Sequence, residues 1–215
     1  MFKKPTAIHS TFFAVCFALC TPFVASADNP ITRIEETWVL KVVEPSSDIS
    51  APQITMVMTP NSNDQNEYFS FSLNHGIEPE ISAGGLQLVS WSDSSTLDYT
   101  TKTSSDVSLQ NNGERVVWRQ SVTLADGELH FSVDEFQSKS WENYDVEKYL
   151  KLSMKTGLSN LDNYDHNDSL KYSVVSYSTN RVQYLKLVRV RAFDEDGKQV
   201  WNHKFNDDLL EELGN

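Results

Sequence analysis

Apolar and polar residues alternate with a period of two along most of the chain, in short runs separated by turn-forming residues. In TWVLKVV, Trp38, Leu40 and Val42 share one face; in EYFSFSLNH, Phe69, Phe71 and Leu73 face one way while Tyr68, Ser70 and Ser72 face the other. The second pattern predicts a strand with one face in a core and one face wet. PQITMVMTP, GGLQLVSW, RVVWRQSVTLA, ELHFSVDEF, YLKLSMKT, KYSVVSY and RVQYLKLVRVRAF repeat the theme. Hardly any window keeps the 3.6-residue period of a helix, so the chain reads as all-β.

Turn chemistry supports antiparallel neighbours. Asn111 to Gly113, Asp126–Gly127 and Asp196–Gly197 each sit between two such runs, and Asn-Gly and Asp-Gly accept the positive φ that tight hairpins need. About ten strands would curl or split into two packed layers, so the expected fold is an antiparallel two-sheet β-sandwich of jelly-roll type. Helix is expected only in short pieces, at NYDVEKYL and NDDLLEELG. The polar stretch from Ser92 to Ser108 reads as a loop or an outward-facing edge.

The first 27 residues stand apart: a lysine-bearing start, the apolar run TFFAVCFALC and an ASA cleavage pattern ending at Ala27 predict a signal peptide. The run is too short to span a bilayer. Residues 28–215 are then one domain, exported to the periplasm or beyond. Cys16 and Cys20 both lie in the leader, so the exported chain has no thiol for a disulfide, a zinc site or a nucleophile. Phe17, Ala18 and Leu19 before Cys20 do not fit a lipoprotein signal, which puts a small residue next to the cysteine. Without Lys3 and Lys4, 16 basic residues face 30 acidic ones, a formal charge of −14. Such a surface repels nucleic acid and anionic lipid and tolerates neutral glycans, cations or basic partners.

The hairpin WRQSVTLADGELHFSVDEFQSKSW, Trp118 to Trp141, resembles paired strands of concanavalin A-like lectin and glucanase jelly rolls: a tryptophan-led strand, an Asp-Gly turn and a strand ending near VD. The chain as a whole also resembles exported bacterial proteins with no assigned activity. The lectin resemblance implies a concanavalin A-like sandwich and a carbohydrate ligand. The catalytic signatures of that group are missing. Laminarinase-type enzymes carry Glu-x-Asp-x-x-Glu, because retaining hydrolysis needs two carboxyls about 5 Å apart. Here Asp134 and Glu135, adjacent on a strand, are expected to point to opposite faces. Of the jelly-roll alginate lyase strands, only YLKLSM, Tyr149 to Met154, is faintly similar.

Other chemistries are also absent. No Gly-x-Ser-x-Gly elbow occurs. His75, His130, His166 and His203 are too far apart in sequence for a His-x-His or His-Glu-x-x-His metal pair, and AGGL at Ala83 to Leu86 lacks the lysine of a phosphate loop. In NRVQYLKLVRVRAF, Arg189 and Arg191 are expected on the face of Leu185, Leu187 and Phe193, opposite Val188 and Val190. There they would either bind carboxylated sugars or pair with the protein's own carboxylates on neighbouring strands. Trp91, Trp118 and Trp141 are candidate sugar platforms if exposed.

The loop LDNYDHNDS, Leu161 to Ser169, gathers three aspartates, two asparagines, a histidine and a tyrosine. Asp162, Asp165, Asn167 and Asp168 offer the hard oxygen ligands that calcium takes, although the spacing fails the EF-hand pattern. The competing expectation is a polar connection turned by Asn and Asp side chains. No organic cofactor is expected. The sequence therefore points to an exported, non-catalytic sandwich that binds an extracellular glycan. The alternatives are a carbohydrate-active enzyme such as a polysaccharide lyase, and a structural or adhesion component of the envelope.

Overall fold

The structure, a computed structural model, describes residues 29–43, 52–74, 85–93, 95–103, 109, 113–138 and 149–210. The expected leader, Trp141 and most of NYDVEKYL lie outside them. The strands are β1 (Ile31–Val42), β2 (Gln53–Met58), β3 (Glu67–Leu73), β4 (Gly85–Ser92), β5 (Ser95–Thr103), β6 (Arg115–Ala125), β7 (Glu128–Gln137), β8 (Lys151–Lys155), β9 (Val174–Tyr177), β10 (Val182–Asp194) and β11 (Gln199–Asp208). Helix α1 (His166–Tyr172) and a 3-10 turn (Thr179–Arg181) interrupt them. The strands form a six-stranded sheet, β11-β10-β1-β6-β7-β8, and a five-stranded sheet, β5-β4-β3-β2-β9. Every pairing is antiparallel. The fold is an all-β two-sheet sandwich.

The period-two runs account for the core. Ile34, Trp38, Leu40 and Val42 of β1 and Val116, Trp118 and Val122 of β6 are fully buried, as are Ile54, Met58, Phe69, Phe71 and Leu73 of the other sheet. Aromatic rings bridge the layers: Phe69 stacks on Phe131 at 4.7 Å between centroids, and Phe71 meets Trp118 edge-on at 5.9 Å. Each such side chain contributes about 1.5–3 kcal/mol by leaving water.

The turns divide. Asp126 and Gly127, both at positive φ, join β6 to β7, and Gly197 at φ 73° closes the β10–β11 hairpin. Gly113 also has positive φ, but the strands flanking NNG, β5 and β6, belong to different sheets, so no hairpin forms there. The polar stretch after Ser92 supplies the edge strand β5. At the C-terminal end, Asn206 to Asp208 extend β11, and Leu209 and Leu210 begin the expected helical piece, the rest of which lies outside the described residues.

Two irregularities overturn facing expectations. The β1–β10 register slips between Thr37↔Arg189 and Trp38↔Leu187, which leaves Val188 as the extra residue of a bulge. Leu185, Leu187, Val190 and Ala192 therefore face the core together, and Arg189 and Arg191 share the outer face with Phe193 alone. In β7 the register with β6 slips beyond Asp134, and Glu135 takes a left-handed φ of 47°. A bulge re-aims the side chains that follow it, and both carboxylates now reach Arg119: its Nε lies 2.7 Å from Asp134 and its Nη1 2.9 Å from Glu135. They do not point to opposite sides.

The segment LDNYDHNDS crosses from β8 in one sheet to β9 in the other. Asp165 caps α1, its Oδ1 accepting the Asn167 N–H at 2.9 Å, and Lys171 in the last turn complements the helix dipole. The capping role expected of Asp is present, but the segment is more than a polar connection. Leu161, Ser169 and Leu170 are buried, and Tyr164 packs against the core. Leu161→Ala is expected to lower stability by about 2–4 kcal/mol in urea denaturation; a change within about 0.5 kcal/mol, the range for surface positions, would show that the segment does not belong to the core.

Candidate functional site

Glu36 occupies a core position. On β1 the residues 34, 36, 38, 40 and 42 all face the opposing sheet, and all five are fully buried. An ionised carboxylate there needs partners, and each oxygen has two. Oε2 accepts the Trp38 indole N–H (2.7 Å) and the Gln120 amide N–H (2.8 Å), both from its own sheet. Oε1 accepts the Ser169 hydroxyl (2.5 Å) and the Tyr164 hydroxyl, both from the segment that crosses between the sheets. Among the described residues no cation bonds it, and the ion pairs of this sheet lie elsewhere.

Burial lifts the Glu36 carboxyl above its ordinary range, against the opposing pull of Ser169, Tyr164, Trp38 and Gln120. Burial, then the neighbouring Glu36, pushes the Tyr164 phenol well above its usual value. Trp38 and Gln120 offer only N–H groups to Oε2, whereas the two hydroxyls can donate or accept. Oε1 is therefore the oxygen on which a proton fits.

Outside the core, the two sheet faces differ. On the six-stranded sheet the register lays Asn202, Arg191, Glu35, Ser121, Ser132 and Lys151 in one row. The charges there are largely matched internally. Arg191 Nη2 meets Glu35 at 2.5 Å, Arg189 donates to Asn202 Oδ1 at 2.9 Å, and Arg119 is held by Asp134 and Glu135. Arg33 lies over the Phe193 ring at 4.0 Å. Of the two uses expected for Arg189 and Arg191, pairing with the protein's own carboxylates is seen for Arg191, whereas Arg189 bonds an amide oxygen. Toward the β8 edge a depression of about 410 Å³ is lined by Thr123, His130, Ser132, Lys151 and Ser153 among others.

The outer face of the five-stranded sheet is aromatic. Tyr68 and Trp91, directly cross-strand, stack at 5.7 Å with planes 9° apart, and Trp91 donates its indole N–H to Ser70 at 2.9 Å. Ser70 and Ser72 are buried beneath such neighbours, so the face expected to be wet is partly roofed by its own side chains. A depression of about 290 Å³ is lined by Val57, Thr59, Gln65, Tyr68 and Tyr172, none of them charged. Tyr172, the last residue of α1, donates to Gln65 Oε1 at 2.6 Å. Tyr99, 62% exposed, extends the aromatic surface on β5.

The expected site residues separate accordingly. Trp91 lies on the aromatic face. Trp118 is fully buried, its indole N–H near Gln120 Oε1 at 3.4 Å, and has no surface with which to meet a sugar. Two of the residues offered for calcium serve the chain itself: Asp162 accepts the Ile31 N–H at 2.8 Å, and Asp165 accepts both nitrogens of Asn167, whereas Asp168 Oδ2 is buried without a hydrogen bond from the described residues. Asp168 lies within the first turn of α1. Among the described residues no three His, Cys, Asp or Glu side chains come together as a metal site, and no helix is long and apolar enough to cross a membrane.

Sequence reasoning missed Glu36, Gln120, Tyr68 and Tyr172. The signal for the first two was present: Glu36 falls in phase with Ile34, Trp38 and Leu40, and Gln120 with Val116, Trp118 and Val122. A polar residue at a core-phase position predicts a buried polar network.

No protein-family model matches the chain, and no curated protein matches it. Among solved structures, the chain is similar to Scytalido-glutamic peptidase, solved with a peptide-based transition state analogue, at 13% identity over 82% of each chain and a TM-score of 0.36. At that score the likeness carries no argument about this chain.

Because the Glu36 carboxyl is raised in the folded protein, its contribution to stability is full below the unfolded-state value and is lost as pH rises through the folded one. Urea denaturation of wild type and Glu36→Gln between pH 4 and pH 8 is expected to show the wild-type advantage shrinking toward pH 8. An advantage that grows with pH would mean that the folded value is depressed.

Proposed function

We propose that this protein is an exported, non-catalytic β-sandwich that binds a neutral glycan across the aromatic outer face of its five-stranded sheet. The observation that carries this reading is the uncharged depression walled by Tyr68, with Trp91 stacked behind it, and by Tyr172, with Gln65 alongside. Sugar rings present apolar C–H faces that pack on aromatic side chains, and ligand sites combine such walls with a few placed polar groups. The Gln65 amide is of that polar type. None of the described lining residues is charged, which suits a neutral sugar, although the Lys171 ammonium lies 4.8 Å from the Tyr172 ring centre; the formal charge of −14 expected after leader removal disfavours a polyuronate.

A second reading, a carbohydrate-active enzyme, draws on the depression around His130, Ser132, Lys151 and Ser153. A uronate lyase there would need a cation to neutralise the substrate carboxylate. Lys151 in the lining is a cation of that kind, whereas the nearby Arg119 already holds two carboxylates.

A glycan array probed with the chain lacking residues 1–27, paired with product analysis on uronate polymers, tests both readings. Binding to neutral oligosaccharides is expected, weakened about tenfold or more by Trp91→Ala or Tyr68→Ala, a loss of about 1.4 kcal/mol. Absence of neutral-glycan binding would overturn the first reading. Appearance of an unsaturated product would establish the second.

A further inference from the structure

The buried Glu36 cluster and the aromatic depression are joined by one short element. Helix α1 has seven residues, too few to hold its shape alone. Its position is set by its ties. Ser169, fully buried, donates to Glu36; Leu170 enters the core; His166 lies against Phe205 at 4.3 Å; and Ser173, just past the helix, accepts the Val57 N–H at 2.9 Å. Tyr164, just before the helix, donates to the same Glu36 oxygen. Tyr172 follows Ser169 by less than one helical turn and emerges 37% exposed in the wall of the depression.

We propose that Glu36 is a positioning residue for this depression: by holding Ser169 and Tyr164 it fixes α1 against the sandwich and so places the Tyr172 ring. The tie to Glu36 joins two hydroxyls to one buried oxygen, and hydrogen bonds shielded from water are stronger than those at the surface. Ser169 and Tyr164 both reach Oε1, the oxygen not used by the sheet, so the carboxylate divides into a sheet-facing half and a helix-facing half. Loosening the second half frees α1 without removing the bonds of the first. The effect on a ligand rests on the glycan reading; the effect on α1 does not.

Hydrogen exchange of the chain lacking residues 1–27, read by mass spectrometry, separates the two. In Ser169→Ala and in Tyr164→Phe, amides of residues 166–173 are expected to exchange about tenfold faster or more, with β3, β4 and β6 unchanged. Acceleration spread evenly over all strands would mean general destabilisation, and no acceleration in α1 would mean that other ties hold it; either overturns the proposal. In calorimetric titration with a neutral glucan hexasaccharide, Ser169→Ala is expected to weaken binding, with no further weakening when added to Tyr172→Ala. Equal losses in both backgrounds would overturn the route through Tyr172. Failure of wild type to bind any neutral glycan would overturn the functional reading, while the exchange result would still decide the role of Glu36.

Discussion

A single carboxylate between two β-sheets, with four donors and, among the described residues, no cation, is the constraint on which this molecule's local architecture turns. Removing an unpaired charge from water costs several kcal/mol, and only a complete shell of hydrogen bonds makes Glu36 tolerable in a core of Ile34, Trp38, Leu40, Trp118 and Phe71. The sheet supplies two donors, Trp38 and Gln120. The other two come from residues more than a hundred positions away, Tyr164 and Ser169. A polar-rich segment is thereby obliged to enter the sandwich.

That obligation explains an otherwise odd composition. LDNYDHNDS is polar because each of several side chains has a backbone or carboxylate partner. Asp162 receives the Ile31 amide, Asp165 caps α1, and Tyr164 and Ser169 satisfy Glu36. Leu161 and Leu170 supply the apolar contacts that hold the segment against the core. Once α1 is seated, its far end presents Tyr172 beside Gln65 and Tyr68 on the outer face of the five-stranded sheet. An internal electrostatic requirement and an external binding surface thus share one helical turn.

Much of the fold was legible in the sequence. Alternation placed Phe69, Phe71 and Leu73 in the core, and Asp126–Gly127 and Asp196–Gly197 marked true hairpins. What alternation could not show is where it slips. The bulge at Val188 moves Arg189 and Arg191 away from Leu185 and Leu187, and the left-handed Glu135 brings two carboxylates to Arg119. Bulges break the period without an obvious residue signature, particularly when no glycine marks them. Trp118, in phase with Val116 and Val122, belonged to the core by the same alternation, whereas Trp91 falls out of phase with Leu86 and Leu88. The site was less legible than the fold. Tyr68 and Tyr172 are more than a hundred residues apart, and only the sheet pairing and α1 bring them to one depression.

The central claim is that Glu36 binds α1 to the sandwich, and a double-mutant cycle measures that coupling most directly. Stabilities of wild type, Glu36→Ala, Ser169→Ala and the double variant, from urea denaturation, give an interaction energy free of each residue's separate packing losses. The account predicts a coupling of about 0.5–3 kcal/mol, the range for residues that share one hydrogen-bond network. Additive losses, agreeing within about 0.3 kcal/mol, would contradict it.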